Sequence, residues 1–465
     1  RRLQEVLRRL KPAGGGGSGR SRATFGPAGS RGELGWRATA GLSLIVAPIF
    51  LAHLMFGANQ PLAAQVLTAF CAAALLGTMA FSRFRAALQD LRALTPVAVA
   101  FGLVVLTILV SLTDLVPGAA HPIWAWAGHA PAITVNRSAT LLGLVQLLGL
   151  AAIFVAAAAI GARREWARRL VSVVLGAGLV WASLALILFL SGAQIGPEAR
   201  LSGGLLSPNN GATVLGVLCV LATARALKAW RERGSGRTPD VLARWSPHAA
   251  LLVLLIFALA LTGSRMGLAA TMASVMVLLI WTGLRGGDAA PRQAALGALI
   301  LAVVGLIVAL GHDLTFRRVA GLEDDVEIRG AIFSAQWRAF LDAPLWGWGL
   351  GSFSDVNSYL MTEQSYAALW RLRAAHNVYL QWLSETGLMG AVPMFATVAL
   401  VIWRAAGRAL APVRGGDDLR GLVVANLVVL LHGLTDFALQ APSIAVFWSL
   451  LLGLQFGFGR TSRRA

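Results

Sequence analysis

Arginine and histidine residues beside predicted helix ends are the part of this sequence best suited to chemistry. Ser207-Pro208 predicts the start of a helix, because serine caps helix ends and proline fits the first turn. Such a start offers unpaired N–H groups to a phosphate, and the preceding Arg200 adds a planar bidentate donor. Arg200, Asn209 and Asn210 are therefore candidate binding residues. A capped helix beside an arginine that contacts lipid headgroups is the alternative.

A second arginine, Arg265, lies between two apolar segments. It ends the stretch Thr262-Gly263-Ser264-Arg265, which predicts a tight reversal because glycine and serine favour turns. Burying this charge in a membrane is expensive, so a functional role is the default hypothesis. Snorkelling of the side chain towards the headgroups is the alternative.

His376 opens a predicted helix that carries a polar stripe. Asn377, Gln381 and Glu385 follow at spacings of four residues, so they share one helix face, which we expect to point into the bundle or a wet cavity. This placement makes His376 a candidate for proton transfer, and Asn377 and Glu385 candidates for substrate binding. Hydrogen bonding between helices is the alternative for the stripe, and it is favoured for Gln381.

A second polar row lies near the end of the chain. His432, Asp436 and Gln440 have the same spacing of four residues. We expect Asp436 either to orient a histidine or to pair with one of the arginines, and we count it among the candidate binding residues. No phosphate loop and no cluster with the spacing of metal ligands occurs in the sequence.

The composition decides what kind of protein positions these residues. Of the 465 residues, 57% are hydrophobic and 13% charged, with mean hydropathy +0.69, whereas soluble domains carry roughly 25% charged residues. This excludes a soluble globular enzyme, a disordered chain and a disulfide scaffold. It predicts an all-α polytopic membrane protein.

About twelve transmembrane helices are expected, because each span needs about 20 mostly apolar residues. Helices one to nine are placed within residues 38–311, and helices ten to twelve within 376–458. The individual predictions are 38–58, 61–81, 94–114, 138–160, 170–190, 209–227, 247–263, 265–284, 293–311, 376–403, 421–437 and 442–458.

The positive charges predict the orientation. Of the 40 Lys and Arg residues, 31 lie in alternate loops or in the tails 1–37 and 459–465. Basic loops stay in the cytoplasm, so both termini are expected there. The net charge of +19 is then a topology signal that also attracts anionic membrane lipid, which argues against a nucleic-acid partner.

One external segment, 312–375, is long enough to have its own structure. A helix is predicted around 328–341, ended by Asp342-Ala343-Pro344, and a second helix is predicted over 354–370. Between them lies an apolar glycine-rich turn. We expect the segment to form a lid on the outer face of the bundle between helices nine and ten, and a passive cap is the alternative.

Taken together, these residues resemble the superfamily of bacterial O-antigen ligases and O-antigen polymerases. The resemblance runs from about residue 130 to the C-terminus. It rests on several short motifs in a fixed order: Ile133-Thr134-Val135-Asn136, Arg200 to Asn210, Gly263-Ser264-Arg265, Trp337, Pro344 to Phe353, His376-Asn377, Glu385-x-Gly387 and His432 to Phe437. Two departures are Ser207-Pro208-Asn209, where the family often has Asn-Pro-Asn, and Met266 in place of a small residue.

The resemblance implies an inner-membrane glycosyltransferase with a lidded periplasmic cavity. It implies transfer of a glycan from undecaprenyl diphosphate to a hydroxyl of a glycan or lipid A-core acceptor, without metal or other cofactor. Arg200, Arg265 and His376 would be the catalytic residues. We also count Arg338, in the lid, among the candidate binding residues. Ligase and polymerase stay open.

The residues themselves suggest the division of roles. The two arginines are expected on the donor diphosphate, and His376 is expected to be the general base for an inverting displacement, because the helix start and the arginines disfavour its charged form. Holding the diphosphate as a third cation is the alternative for His376. A transporter or flippase of a lipid-linked glycan is the competing function, although it should carry midplane charges and inverted repeats.

Overall fold

The described residues from Leu42 onwards fold as a bundle of helices. The computed structural model describes residues 28–88, 93–194, 200–231, 238–283, 322–363, 365–370, 372–411 and 416–460, and these contain no β-strand. The predicted ninth span and most of the N-terminal tail lie outside the described residues. The helices are α1 (Ala28–Leu54), α2 (Pro61–Met79), α3 (Ser82–Leu88), α4 (Thr95–Ser111), α5 (Ile123–Trp126), α6 (Arg137–Gly161), α7 (Arg164–Leu190), α8 (Pro208–Arg231), α9 (Thr238–Leu261), α10 (Arg265–Gly283), α11 (Leu322–Asp342), α12 (Phe353–Leu360), α13 (Tyr366–Leu369), α14 (Val378–Ala409), α15 (Asp417–His432) and α16 (Pro442–Gly457).

The chain divides into two compact units, Arg1–Gly41 and Leu42–Ala465. In the first unit, the described residues form the beginning of α1, where the Thr39 hydroxyl donates to the Gly35 carbonyl at 3.1 Å. The second unit contains the rest of the helices and all the candidate site residues.

Many of these helices suit a membrane. Seven are long and apolar enough to cross one: α1 from Gly35, α2, α6, α7, α8, α10 and α14. Three apolar helices are shorter, namely α4, α16 and the Ser246–Leu261 part of α9. The prediction of an all-helical polytopic membrane protein is confirmed at this level, and the number of twelve spans stays a prediction.

Helix α8 lies at the centre of the bundle. It is buried on nearly all sides and packs against α7, α9, α10 and α15. At a rise of 1.5 Å per residue, its 24 residues extend for about 36 Å. We call the end of the bundle at Pro208 the upper end, and the end at Arg231 the basic end.

Helix α14 is broken at Gly387, where φ is 58° and ψ is −168°. The break leaves backbone groups that the helix itself cannot pair, and residues 344–353, here called the glycine turn, supply the partners. Four backbone hydrogen bonds join the two segments: Trp348 N to Ser384 O at 3.1 Å, Gly349 N to Glu385 O at 2.7 Å, Leu388 N to Pro344 O at 2.8 Å and Met389 N to Leu345 O at 3.0 Å.

The two backbones approach so closely that side chains do not fit between them. A Cβ atom on Gly387 would lie 2.3 Å from the Leu345 carbonyl oxygen, and one on Gly347 would lie 2.5 Å from the Glu385 carbonyl oxygen. Both glycines also have positive φ angles, which residues with a Cβ rarely adopt. Glycine is therefore required on both sides of this contact.

The same turn contacts the segment before α6. The Val135 N–H donates to the Trp348 carbonyl at 2.9 Å, and the Trp124 indole donates to the Thr134 carbonyl at 2.7 Å. His121 lies with its ring 5.0 Å from that of Trp348, and burial lowers the pKa of its imidazole, which favours the neutral ring. The glycine turn is thus held from two sides.

The lid differs from its prediction in one element. Helix α11 ends at Asp342, as predicted, but the second helix is not continuous over 354–370, so that prediction is wrong. The chain leaves α12 at Met361, and Thr362 and Ser365 exchange hydrogen bonds between their side chains and backbones. Such local bonds compete with helical ones, so a break separates α12 from α13.

Replacing Gly387 with alanine should disrupt the fold around the glycine turn. The new Cβ would collide with a carbonyl at a positive φ, a conformation that alone costs about 1–3 kcal/mol. The apparent melting temperature of the purified protein should fall by several degrees. The control is Gly407→Ala in the same helix, where a Cβ meets nothing within 4 Å. Equal melting temperatures for the two variants would contradict this account.

Candidate active site at the upper end of the bundle

Arg200 is held between the end of α9 and the start of α8. Its Nε donates to the Thr262 carbonyl at 2.7 Å, and its Nη2 donates to Asn209 Oδ1 at 3.3 Å. The backbone is fixed as well, since Leu201 N–H donates to the Leu261 carbonyl at 3.0 Å. The half-buried Arg200 guanidinium therefore lies beside the start of α8.

The start of α8 has the predicted form. The helix begins at Pro208, and the Ser207 hydroxyl accepts from the Asn210 N–H at 3.2 Å, which is an N-terminal cap. Asn210 is fully buried, and its Nδ2 has no hydrogen-bond partner within the described part of the chain. Asn209 and Asn210 thus lie on the first turn of α8.

Two glycines lead the chain from Arg200 to this helix. Gly203 and Gly204 have φ angles of 67° and 82°. A Cβ on Gly204 would lie 2.7 Å from Leu54 Cα, and the Gly204 carbonyl accepts from the Phe56 N–H at 2.9 Å. The Gly203 carbonyl accepts from the Trp181 indole at 2.9 Å. These contacts fix the loop that presents Arg200.

Arg265 is the first residue of α10, directly after the predicted tight reversal. The Ser264 hydroxyl caps this helix by accepting from the Gly267 N–H at 3.2 Å, and Gly263 has a φ of 58°. Arg265 is exposed and makes no hydrogen bond or ion pair with the residues that the structure describes. Because Arg200 binds the Thr262 carbonyl, the reversal brings the two arginines to the same end of the bundle.

His432 joins three elements beneath this end. Its Nδ1 lies 2.8 Å from the Thr213 hydroxyl on α8, and its Nε2 lies 3.4 Å from the Ser264 hydroxyl. The ring is 1% exposed. Gly267 lets α10 come close, because a Cβ there would lie 3.2 Å from His432 Cε1. His432 therefore links α15 to α8 and to the residue before Arg265.

His376 lies beside the turn that follows His432. It is half-buried, its φ is 53°, and its ring meets the edge of Phe437 at a centroid distance of 4.6 Å. Val378 N–H donates to the Gly433 carbonyl at 2.9 Å, which ties the start of α14 to this turn. The structure thus places Arg200, Arg265 and His376 at one end of the bundle, connected through residues 432–437.

The residues of the predicted polar stripe on α14 form hydrogen bonds within the protein. Asn377 is the N-terminal cap of α14, and its Oδ1 accepts from the N–H groups of Tyr379 and Leu380, both at 3.0 Å. Gln381 Nε2 donates to Glu385 Oε1 at 2.8 Å, and the Gly351 N–H donates to Glu385 Oε2 at 2.7 Å. Glu385 is buried, so these contacts favour hydrogen bonding between segments as its role.

The predicted row of His432, Asp436 and Gln440 does not exist as a helix face. Helix α15 ends at His432, and Gln440 lies in a separate 3-10 turn, Ala438–Gln440. The Gly433 N–H pairs with the Val429 carbonyl, and the chain then turns through Asp436, which is fully buried. The predicted span 421–437 is shifted in the structure, where the helix begins at Asp417 and ends at His432.

The remaining candidate, Arg338, is exposed on α11 of the lid. The sequence reasoning did not single out Thr213 or Ser264 as partners of His432. Thr213 follows Asn209 by four residues, so helical spacing from the candidate asparagine was an available signal. Ser264 lies in the motif that contains Arg265, but only the fold brings His432 to it.

A comparison with protein families gives a match to part of the chain. Residues 250–395 match the family model described as O-antigen ligase. The predicted resemblance is confirmed over these residues. The matched O-antigen ligase segment contains Arg265, Arg338 and His376, whereas Arg200 and Asp436 lie outside it. No curated protein matches the chain.

Removal of the Thr213 hydroxyl, which binds His432, should lower the stability of the protein. Thr213→Val replaces a buried hydrogen-bonding group with a methyl group, at an expected cost of about 1–3 kcal/mol. The matched control is Thr223→Val on the same helix. The Thr223 hydroxyl is equally buried, and among the described residues it binds only the Cys219 carbonyl of its own helix. Thermal unfolding should show a larger loss for Thr213→Val. A loss of the same size in both variants would count against the linking role of His432.

Proposed function

We propose that the protein transfers a glycan from an undecaprenyl-diphosphate carrier to an acceptor hydroxyl, as an O-antigen ligase or as a polymerase of O-antigen or exopolysaccharide. The match of residues 250–395 to the O-antigen ligase family supports glycan transfer by a membrane enzyme. In this proposal the protein lies in a bacterial inner membrane with both termini in the cytoplasm. The upper end then faces the periplasm, where the carrier presents its glycan and where lipid A-core or a glycan serves as acceptor.

The observation that carries the proposal is the convergence of Arg200 and Arg265 on the reversal at Thr262–Ser264. Arg200 is anchored by two bonds beside the start of α8, while Arg265 keeps its guanidinium exposed. A diphosphate placed between them would meet two planar donors and the positive end of a helix. These groups would stabilise the charge that grows on the departing diphosphate, and the reaction then needs no metal ion.

His376 is the proposed general base. The acceptor oxygen forms a bond to the anomeric carbon while the bond from that carbon to the diphosphate oxygen breaks, and the electron pair leaves with the diphosphate. The acceptor proton moves to the imidazole of His376. A single displacement of this kind inverts the anomeric centre. Two features support this role by restricting the ring: the left-handed backbone of His376 and its T-shaped contact with the ring of Phe437.

The other candidates take different positions around the proposed substrates. Asn209 and Asn210 lie on the first turn of α8 beside Arg200, and Arg338 is exposed on the lid. Asn377 and Glu385 are proposed to shape the site through the capped start of α14 and the glycine turn. Asp436 is proposed to act from the buried turn between His432 and Phe437.

Loss of Arg265 should remove transition-state stabilisation. For Arg265→Ala we expect turnover to fall by about 10²–10³-fold, the usual effect of losing one such donor. Arg265→Lys should be nearly as impaired, because a lysine lacks the planar fork. Turnover is measured with purified protein, a diphosphate-linked glycan and candidate acceptors. The control is Arg137→Ala at the same end, since Arg137 binds the Ala130 and Pro131 carbonyls instead. Near-normal turnover of Arg265→Ala would remove this arginine from the mechanism.

Loss of the His376 imidazole should lower turnover while leaving donor binding nearly unchanged. His376→Asn keeps a residue that tolerates the left-handed backbone, so it tests the imidazole without added strain. We expect turnover to fall about 10²–10⁴-fold with little change in donor affinity. The alternative role, a cation on the diphosphate, predicts weaker donor binding and rescue by His376→Arg. Donor affinity and turnover measured separately for both variants decide between the roles, and rescue by arginine would refute the base.

A further inference from the structure

A strongly basic cavity lies at the opposite end of the bundle from the arginines and histidine discussed above. It has a volume of about 470 Å³ and is formed by the first turns of α7 and the last turns of α8. Its lining includes five cationic residues and one acid: Arg164, Arg168, Arg169, Arg225, Lys228 and Glu165. None of these residues belongs to the segment that matches the O-antigen ligase family.

A buried carboxylate fixes the wall of this cavity. The side chain of Asp418, at the start of α15, is fully buried. It forms salt bridges with Arg225, with Lys228 Nζ at 3.3 Å and with Arg168 Nε at 3.6 Å. The three cations come from two helices and are gathered around one acid. The single negative charge of Asp418 therefore positions three positively charged side chains, which leaves positive charge in excess.

The cavity keeps a net positive charge among the described residues. Glu165 is mostly exposed and pairs with Arg169 at 2.6 Å, on the rim. The five cations thus face two carboxylates, Glu165 and Asp418, which leaves an excess of three positive charges. The start of α7 adds the partial positive charge of a helix N-terminus. An anion is the ligand that this arrangement fits.

The residues in and beside the cavity indicate which kind of anion it fits. The cavity is open to the surface, and arginines favour phosphate because their fork binds two oxygens at once. Trp166 lies on the same turn of α7, with the Arg83 guanidinium 4.6 Å from its ring centroid. Tryptophan and arginine are typical of the headgroup region, where basic pockets between helices bind anionic headgroups.

We propose that this cavity binds a phosphate-bearing anion. An anionic phospholipid headgroup and a soluble diphosphate share this chemistry and are the two sources to be distinguished. The Asp418 salt bridges preorganise the cations, so binding would lock the start of α7 to the end of α8 at the basic end. This proposal is independent of the glycan-transfer function, because it concerns other residues at the other end of the bundle.

Binding is measured by calorimetry on the purified full chain in neutral detergent. The probes are short-chain phosphatidylglycerol, short-chain phosphatidylcholine and inorganic pyrophosphate. We expect salt-sensitive binding of phosphatidylglycerol but not of phosphatidylcholine if the source is lipid, and binding of pyrophosphate if the source is soluble. No binding of either anion would overturn the proposal.

Matched variants locate the site. Arg169→Gln removes a cation whose partner, Glu165, is exposed, so folding is expected to be retained, and Lys228→Gln removes one that binds Asp418. Each should weaken anion binding by about fivefold. The control is Arg85→Gln, an exposed arginine on α3 that bonds to the Met79 carbonyl and does not line the cavity. Equal affinities for Arg169→Gln and Arg85→Gln would place the anion elsewhere and refute the proposal.

Discussion

Hydrogen bonds between the glycine turn and the broken helix α14 are the constraint on which the upper end of the bundle depends. A helix that breaks leaves N–H and C=O groups unpaired, and away from water each unpaired group costs several kcal/mol. The glycine turn removes this cost by pairing with both sides of the break at Gly387. The penalty for separation is large, so the lid is fixed to α14 just below the start that carries His376.

The candidate site is built from helix ends rather than from loops alone. Arg265 and Asn209 occupy the first turns of α10 and α8, and His376 precedes Asn377, the cap of α14. Helix ends are where backbone donors remain available, and Ser264 and Ser207 pair some of them as caps. The buried His432 then links α15 to α8 through Thr213 and to the start of α10 through Ser264.

The charged residues at the two ends of α8 are arranged differently. At the upper end, Arg265 is exposed and the acid of the neighbouring turn, Asp436, is buried. At the basic end, Asp417 and Asp418 gather cations from α7, α8 and α15 itself into a network. A buried carboxylate is costly unless it is paired, and so this network fixes the start of α15 at Asp417.

Composition and periodicity determined the class of fold. In lipid a helix pairs its backbone N–H and C=O groups within one segment, and a run of about twenty apolar residues predicts such a helix. Local chemistry also determined the start of α8 at Ser207-Pro208, the reversal before Arg265 and the end of α11 before Pro344, since caps and prolines act on their immediate neighbours. The break at Gly387 and the end of α15 at His432 depended on tertiary contacts. Only the fold brought Thr213 and Ser264 to His432, because those residues lie 219 and 168 positions away from it, and no local pattern encodes a hydrogen bond over that separation.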